Sequence, residues 1–146
     1  MRRTVLIVEN DPMSRELSRR VLTAGGYRVT VAHDGEQALR VAPKLRPHLV
    51  LMDMRLPGID GIETTKRLKR GRATASIPIA VLSAQAFADD IARARAAGAV
   101  EYLTKPIGAR ELLDRVDALL CGSEERPPSP AGTPVVTRAG DRRVKG

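Results

Sequence analysis

Val5-Leu6-Ile7-Val8-Glu9-Asn10-Asp11-Pro12 sets four aliphatic residues against an abrupt polar end. Apolarity without alternation is the pattern of a strand buried on both faces, as in a parallel sheet covered by helices. Asp11 before Pro12 reads as a helix start: a carboxylate that accepts from the free N–H groups of the first turn, then a proline where a missing N–H costs little. Met13, Leu17, Val21 and Ala24 follow at helical spacing as the expected inward stripe, and Gly25-Gly26 ends the helix. The unit then repeats. Val29–Ala32 is a strand, and Gly35–Leu45 is a helix with Ala38, Leu39, Ala42 and Leu45 inward. Leu49-Val50-Leu51-Met52 runs into Asp53, Pro57-Gly58 turns the chain, and Ile62, Thr65 and Leu68 mark the third helix. Ile77–Leu82 is the fourth strand, Ala88–Ala97 a helix closed by Gly98, and Val100–Leu103 the fifth strand. Leu112, Leu113, Val116, Leu119 and Leu120 share one stripe of the last helix. Five such units predict an α/β fold with a doubly wound, five-stranded parallel sheet and helices on both faces.

Composition agrees with one domain in the 146 residues. Apolar residues make up 42% of the chain but aromatics only 2%, so the core is built from aliphatic side chains. The formal charge of +8 admits two readings: solvated helix faces, or a partner of opposite charge such as nucleic acid, acidic lipid or acidic protein. Cys121 is the one cysteine, which excludes an intramolecular disulfide and suits a reducing compartment. No apolar run approaches the roughly 18 residues of a membrane span. The apolar stretch after Arg2-Arg3 is too short for a signal-peptide core, so a cytoplasmic protein is expected. From Gly122 the periodicity stops: Ser123 to Pro130 is polar and proline-rich, and 122–146 is expected to be a disordered tail after a domain spanning 1–121. Arg126, Arg138, Arg142, Arg143 and Lys145 outnumber Glu124, Glu125 and Asp141 there only slightly, so most of the excess charge belongs to the folded part.

Ligands of open α/β sheets bind beyond the carboxyl ends of the strands. Strand one ends at Glu9-Asn10-Asp11, strand three at Asp53 and strand four at Ser83, while strand five leads to Lys105-Pro106. A strand order of 2-1-3-4-5 brings these residues to one edge. Clustered carboxylates repel one another and call for a divalent cation, and hard oxygen donors suit Mg²⁺.

Four segments, Glu9-Asn10-Asp11, Asp53-Met54-Arg55-Leu56-Pro57-Gly58-Ile59-Asp60-Gly61, Leu82-Ser83-Ala84 and Tyr102-Leu103-Thr104-Lys105-Pro106, resemble the receiver domains of two-component response regulators. The likeness covers roughly residues 4–120 in order and spacing, and is nearest to single-domain cell-cycle and chemotaxis regulators. It implies a flavodoxin-like fold and a phosphorelay protein in which Asp53 is the phosphoacceptor. By the same likeness Glu9, Asn10, Asp53 and the carbonyl of Arg55 surround Mg²⁺, while Ser83 and Lys105 contact phosphoryl oxygens. Ser83 and Tyr102 would be the switch residues, although Tyr102 reads equally as a core aromatic, and Pro106 resembles the family's cis-proline. The implied donor is a histidine kinase or a histidine phosphotransfer protein. The residues after helix five are too few and too polar for a helix-turn-helix, so no DNA-binding domain is expected. Output is expected as protein contact through the face of helix four, strand five and helix five, from a monomer or weak dimer with no membrane partner.

One position departs from the family. Receivers carry adjacent acids after strand one, and here the pair reads Glu9-Asn10 with the second acid displaced to Asp11. Asn10 still offers a carbonyl oxygen, but one negative charge is lost and weaker Mg²⁺ binding is expected. Asp11 is the helix N-cap, with a metal-ligand role left open. Two other readings stand beside the first: a pseudo-receiver that binds a partner without phosphorylation, and a haloacid-dehalogenase-type phosphatase. The latter needs a second Asp where this chain has Arg55. His33 and His48 have no partner at ligand spacing.

Overall fold

The computed structural model describes residues 2–121, 135–137 and 141–143. Strands and helices alternate as β1 (Thr4–Val8), α1 (Pro12–Ala24), β2 (Arg28–Ala32), α2 (Gly35–Leu45), β3 (Leu49–Asp53), α3 (Gly61–Arg70), β4 (Ile79–Ser83), α4 (Ala88–Ala97), β5 (Glu101–Thr104) and α5 (Ala109–Cys121). The five strands are parallel in the order β2-β1-β3-β4-β5, which is the predicted flavodoxin-like sheet. The expected tail lies largely outside the described residues. Within it Val135–Thr137 (β6) and Asp141–Arg143 (β7) pair antiparallel.

Side chains alternate across a strand with period two, so one continuous apolar run feeds two cores. Leu6, Val8, Val50, Met52 and Val81 face a layer that includes Ala38, Ala42, Ile62, Leu68, Ala94 and Ala97, contributed by α2, α3 and α4. Val5, Ile7, Leu49, Leu51 and Leu82 face Leu22 of α1 and Leu112, Val116 and Leu120 of α5. β3 and β4 are buried at every position. That burial is why their sequences show no polar alternation.

The inward face of α1 differs from the expected stripe. Met13 and Leu17 are 82% and 59% exposed, whereas Leu22 is fully buried. The half-buried column runs Ser14, Arg15, Ser18, Arg19 and then Leu22. Arg15 explains the rotation. Its guanidinium Nη1 donates to the carbonyls of Glu9 (3.1 Å) and Asn10 (3.3 Å), so a charged side chain occupies the face that hydropathy assigns to solvent. The fourth strand starts at Ile79 rather than Ile77, because the Ile77 amide bonds the Thr74 carbonyl in a turn and Pro78 has no N–H to give the ladder. The fifth starts at Glu101, with Val100 exposed before it.

Candidate functional site

Strand register places the site. Val8 lies opposite Met52, Asp53 opposite Leu82, and Ser83 opposite Thr104, so β1, β3, β4 and β5 end within about a residue of one another. Glu9, Asp53, Ser83 and Lys105 therefore arrive at one carboxyl edge. After β3 the chain returns at once: the Gly61 N–H donates to the Met54 carbonyl at 2.9 Å, and Asp60 caps α3 by accepting from the Glu63 N–H at 2.8 Å. A Cβ on Gly61 would lie 2.2 Å from the Asp53 carbonyl oxygen, so only glycine lets α3 begin this close to the strand end.

The centre is two carboxylates sharing one ammonium. Lys105 Nζ lies 2.8 Å from Glu9 Oε1 and 3.4 Å from Asp53 Oδ1. Glu9 and Asp53 are 6% and 9% exposed. The Asp11 N–H donates to Glu9 Oε2 at 3.2 Å, and the Arg55 N–H donates to Asp53 Oδ1 at 3.3 Å. Burial, reinforced by the Glu9 carboxylate, pushes the Asp53 carboxyl up to about 6 against the opposing pull of Lys105 and the Arg55 N–H. Burial alone would lower Lys105, but its hydrogen bond to Glu9 and the charge of Asp53 outweigh that and hold the ammonium above its usual range. The Lys105–Pro106 bond is cis.

Beside this centre opens a polar cleft of about 540 Å³ whose lining includes Asn10, Arg55, Ser83 and Gln85. Gln85 joins the two loops around it. Its side-chain oxygen accepts from Arg55 Nη2 (3.1 Å), its N–H donates to Ser83 Oγ (3.2 Å), and its carbonyl accepts from Tyr102 Oη (2.6 Å). Asp11 is turned elsewhere: its Oδ2 accepts from the Ser14 N–H at 2.8 Å as the N-cap of α1, and this hydrogen bond holds its carboxyl below the usual range. The fold thus gathers Glu9, Asp53 and Lys105, ranges Asn10, Arg55 and Ser83 along the adjoining cleft, and leaves Asp11 at the helix terminus. Sequence reasoning missed Arg15, Gln85 and the steric demand at Gly61. For Arg15 the one available signal is a long cation placed one helical turn after two strand-end carbonyls.

A family model described as "Response regulator receiver domain" matches residues 5–117. The chain belongs to the response regulator receiver domain family. This receiver is 39% identical over 127 residues to the DNA-binding response regulator MtrA of Mycolicibacterium smegmatis, a match covering 87% of the chain and 54% of MtrA. It is also 39% identical over 118 residues to the phosphate regulon transcriptional regulatory protein PhoB of Pseudomonas aeruginosa, covering 81% of the chain and 52% of PhoB. Among solved structures, a putative response regulator from Chloroflexus aurantiacus superposes with a TM-score of 0.79 at 37% identity, covering 83% of this chain and 99% of that one. The receiver domain of sensor histidine kinase PA1611 from P. aeruginosa, with a magnesium ion coordinated in its active-site cleft, gives 0.76 at 34% identity, covering 84% and 99%.

The receiver spans about half the length of the curated relatives it matches. Those relatives are DNA-binding response regulators, which overturns the expectation of partners for a protein with no DNA-binding domain. The physical reason is simple. A receiver folds on its own core, so its periodicity and the polarity of the residues after α5 carry no information on what adjoins it. Among the described residues no helix is long and apolar enough to cross a membrane.

Receiver domains generally bind Mg²⁺ in the active site, and the donors here fit such an ion. They are all hard oxygens, and two buried carboxylates face each other with a charge conflict that a cation relieves. The set is one charge short of the family's usual acids. Among the described residues no group of three or more His, Cys, Asp or Glu side chains is placed to hold a metal.

The raised Asp53 carboxyl has a consequence for stability. An unfolded Asp ionises near 3.8 and the folded one near 6, so in metal-free buffer the folded state loses stability as pH rises between those values. A shift of that size caps the cost at about 3 kcal/mol, and losing the Lys105 pairing discounts the gain on removal to about 1–2 kcal/mol. Asp53→Asn is therefore expected to melt above the unmutated chain at pH 7 in EDTA, with the advantage fading by pH 4. A constant difference across that range would refute the charge explanation.

Proposed function

We propose that Asp53 accepts a phosphoryl group from the phosphohistidine of a histidine kinase or histidine phosphotransfer protein. A carboxylate oxygen of Asp53 attacks phosphorus, the P–N bond breaks, and the imidazole leaves with the electron pair. The observation that carries this reading is the meeting of Asp53, Glu9 and Lys105 in one cluster beside a polar cleft lined by their chain neighbours Asn10 and Met54 and by Ser83. Phosphoryl transfer needs little beyond positioning and charge stabilisation. Lys105 supplies a fixed positive charge, and the Ser83 hydroxyl supplies a donor at the end of the neighbouring strand. Glu9, Asn10, Asp53 and the Arg55 carbonyl would hold Mg²⁺, which when bound neutralises charge on the attacking carboxylate and the phosphoryl oxygens. Water later hydrolyses the acyl phosphate.

Ser83 also offers a route for the signal. Its Oγ already accepts from the Gln85 N–H, and the Gln85 carbonyl holds the Tyr102 hydroxyl. A phosphoryl oxygen that draws Ser83 toward Asp53 strains this chain and frees Tyr102 to repack, which biases a two-state element. The cytoplasm, where kinase and ATP are found, is the compartment that suits this chemistry.

Intact mass after incubation with acetyl phosphate, with and without Mg²⁺, tests the proposal. The protein is expected to gain one phosphoryl group with Mg²⁺, and Asp53→Asn to gain none. Failure of the unmutated chain to label with any donor overturns it. Asn10 sets a second expectation. Asn10→Asp restores a negative charge beside the two carboxylates and is expected to tighten Mg²⁺ by about tenfold, read by calorimetric titration. Equal affinity in the two proteins would mean that Asn10 does not touch the ion.

A further inference from the structure

The remaining charge of the molecule is sorted by edge. In a sheet of parallel βα units each helix runs back against its strand, so helix C-termini and strand N-termini share the edge opposite the phosphorylation cleft. Arg28 at the start of β2, Lys44 and Arg46 at the end of α2, Arg70 and Arg72 at the end of α3, and Arg95 near the end of α4 all stand there, all exposed. None of the six pairs with a carboxylate among the described residues. The carboxylates at this edge, Glu101 and Asp117, are already engaged by Arg115 and by the Tyr27 hydroxyl. Asp34, Asp60, Asp89 and Asp90 sit instead at the opposite edge with Glu9 and Asp53.

Helix dipoles account for part of this sorting, because cations are favoured in a last helical turn. They account for Lys44, Arg70 and Arg95. Arg28, Arg46 and Arg72 lie outside the helices, and Arg46 holds a left-handed backbone (φ 50°) that usually selects Asn or Gly. Five of the six cations are arginines, whose planar forks match phosphate oxygens. The exposed aromatic Phe87 and the exposed Met13 and Leu17 lie elsewhere, and among the described residues Val100, just ahead of β5, is the one exposed large apolar side chain at this edge. Those residues therefore give the edge no stacking platform for single strands and only an isolated apolar contact for a bilayer.

We propose that this basic edge binds the phosphate backbone of a nucleic-acid duplex without reading its base sequence. Fluorescence anisotropy of the full chain with labelled duplexes of about 20 base pairs, one DNA and one RNA, tests it between about 50 and about 200 mM salt. Binding that weakens steeply with salt is expected, and the tighter of the two duplexes identifies the source of the phosphates. Arg46→Gln/Arg70→Gln/Arg72→Gln is expected to weaken binding by at least about tenfold and to flatten the logarithmic salt slope by about 3. Arg110→Gln, at the other edge, should stay within about twofold. Circular dichroism melts and acetyl phosphate labelling of each variant verify that the fold and the opposite edge are intact. Three results overturn the proposal: no binding to either duplex at the lowest salt, unchanged affinity in the triple variant, or tighter binding to phosphatidylglycerol vesicles or polyglutamate than to both duplexes.

Discussion

Lys105→Met is expected to slow phosphoryl uptake by about 10²–10³-fold, the usual cost of removing one fixed charge-stabilising group from a reacting centre. Among the described residues Lys105 is the one side-chain cation paired with both Glu9 and Asp53. Methionine keeps the length and the apolar stem but leaves two carboxylates facing each other in a buried cluster. Stability is therefore expected to fall as well. Breaking a fully buried pair costs about 3–5 kcal/mol, but the lysine is 23% exposed, which brings the expected loss to about 1–2 kcal/mol. The sign with pH follows. Without the ammonium the Asp53 carboxyl holds its proton more tightly, so the deficit is largest at pH 7 and shrinks as pH falls through the range near 6 where Asp53 already titrates. Single-turnover labelling and metal-free melts from pH 7 to pH 4 separate the two effects. A variant that labels at the unmutated rate would remove Lys105 from the chemistry, and one whose stability deficit grew on acidification would contradict the counter-charge role.

Gly61→Ala is expected to destabilise the domain by about 2–4 kcal/mol and lower Tm by roughly 10 °C. Alanine normally strengthens a helix relative to glycine by up to about 1 kcal/mol, so the local propensity argues the other way. Sterics decide. The new methyl would meet the Asp53 carbonyl oxygen at 2.2 Å and Met54 Cα at 2.8 Å, and both are backbone atoms that cannot rotate aside. Either α3 lifts off or the end of β3 moves, and Asp53 moves with it. Slower labelling is expected alongside the lower melting point. Gly108→Ala is the control, since a Cβ there meets nothing within 4 Å and its backbone needs no positive φ. It should be neutral or slightly stabilising. Equal melting of the two variants would refute the steric account.

The order and type of the elements were legible because each is long enough to show its period and each ends on a chemical signal. From sequence Pro12 marked a helix start, Gly25 and Gly98 helix ends and Gly58 a turn, and Gly58 and Gly98 have positive φ in the structure. Asp11, Asp34 and Asp60 each accept from an N–H three residues on, the local bond that starts a helix. The inward face of α1 was not legible. Hydropathy ranks Met13 and Leu17 above Arg15, whereas the fold uses the Arg15 guanidinium to serve two strand-end carbonyls. Such a bond spans two elements and leaves no trace in a one-dimensional pattern. The bridging role of Gln85 was hidden for the same reason, since its partners Arg55, Ser83 and Tyr102 come from three different segments.

For the site, the chain alone determined which residues end the inner strands, because an aliphatic run that stops at an acid or a hydroxyl declares its own boundary. That much named Glu9, Asp53 and Ser83, with Lys105 beyond the last strand. Only the tertiary structure decided how they share charge. Parallel register brings the strand ends together, burial drives Asp53 toward its protonated form, and one ammonium is divided between two carboxylates. Asp11 was legible as the N-cap of α1, and the fold keeps its carboxylate on that first turn, apart from the pair that shares Lys105. Spacing along the chain sets what is available. Distance and dielectric, which arise only on folding, set what each group does.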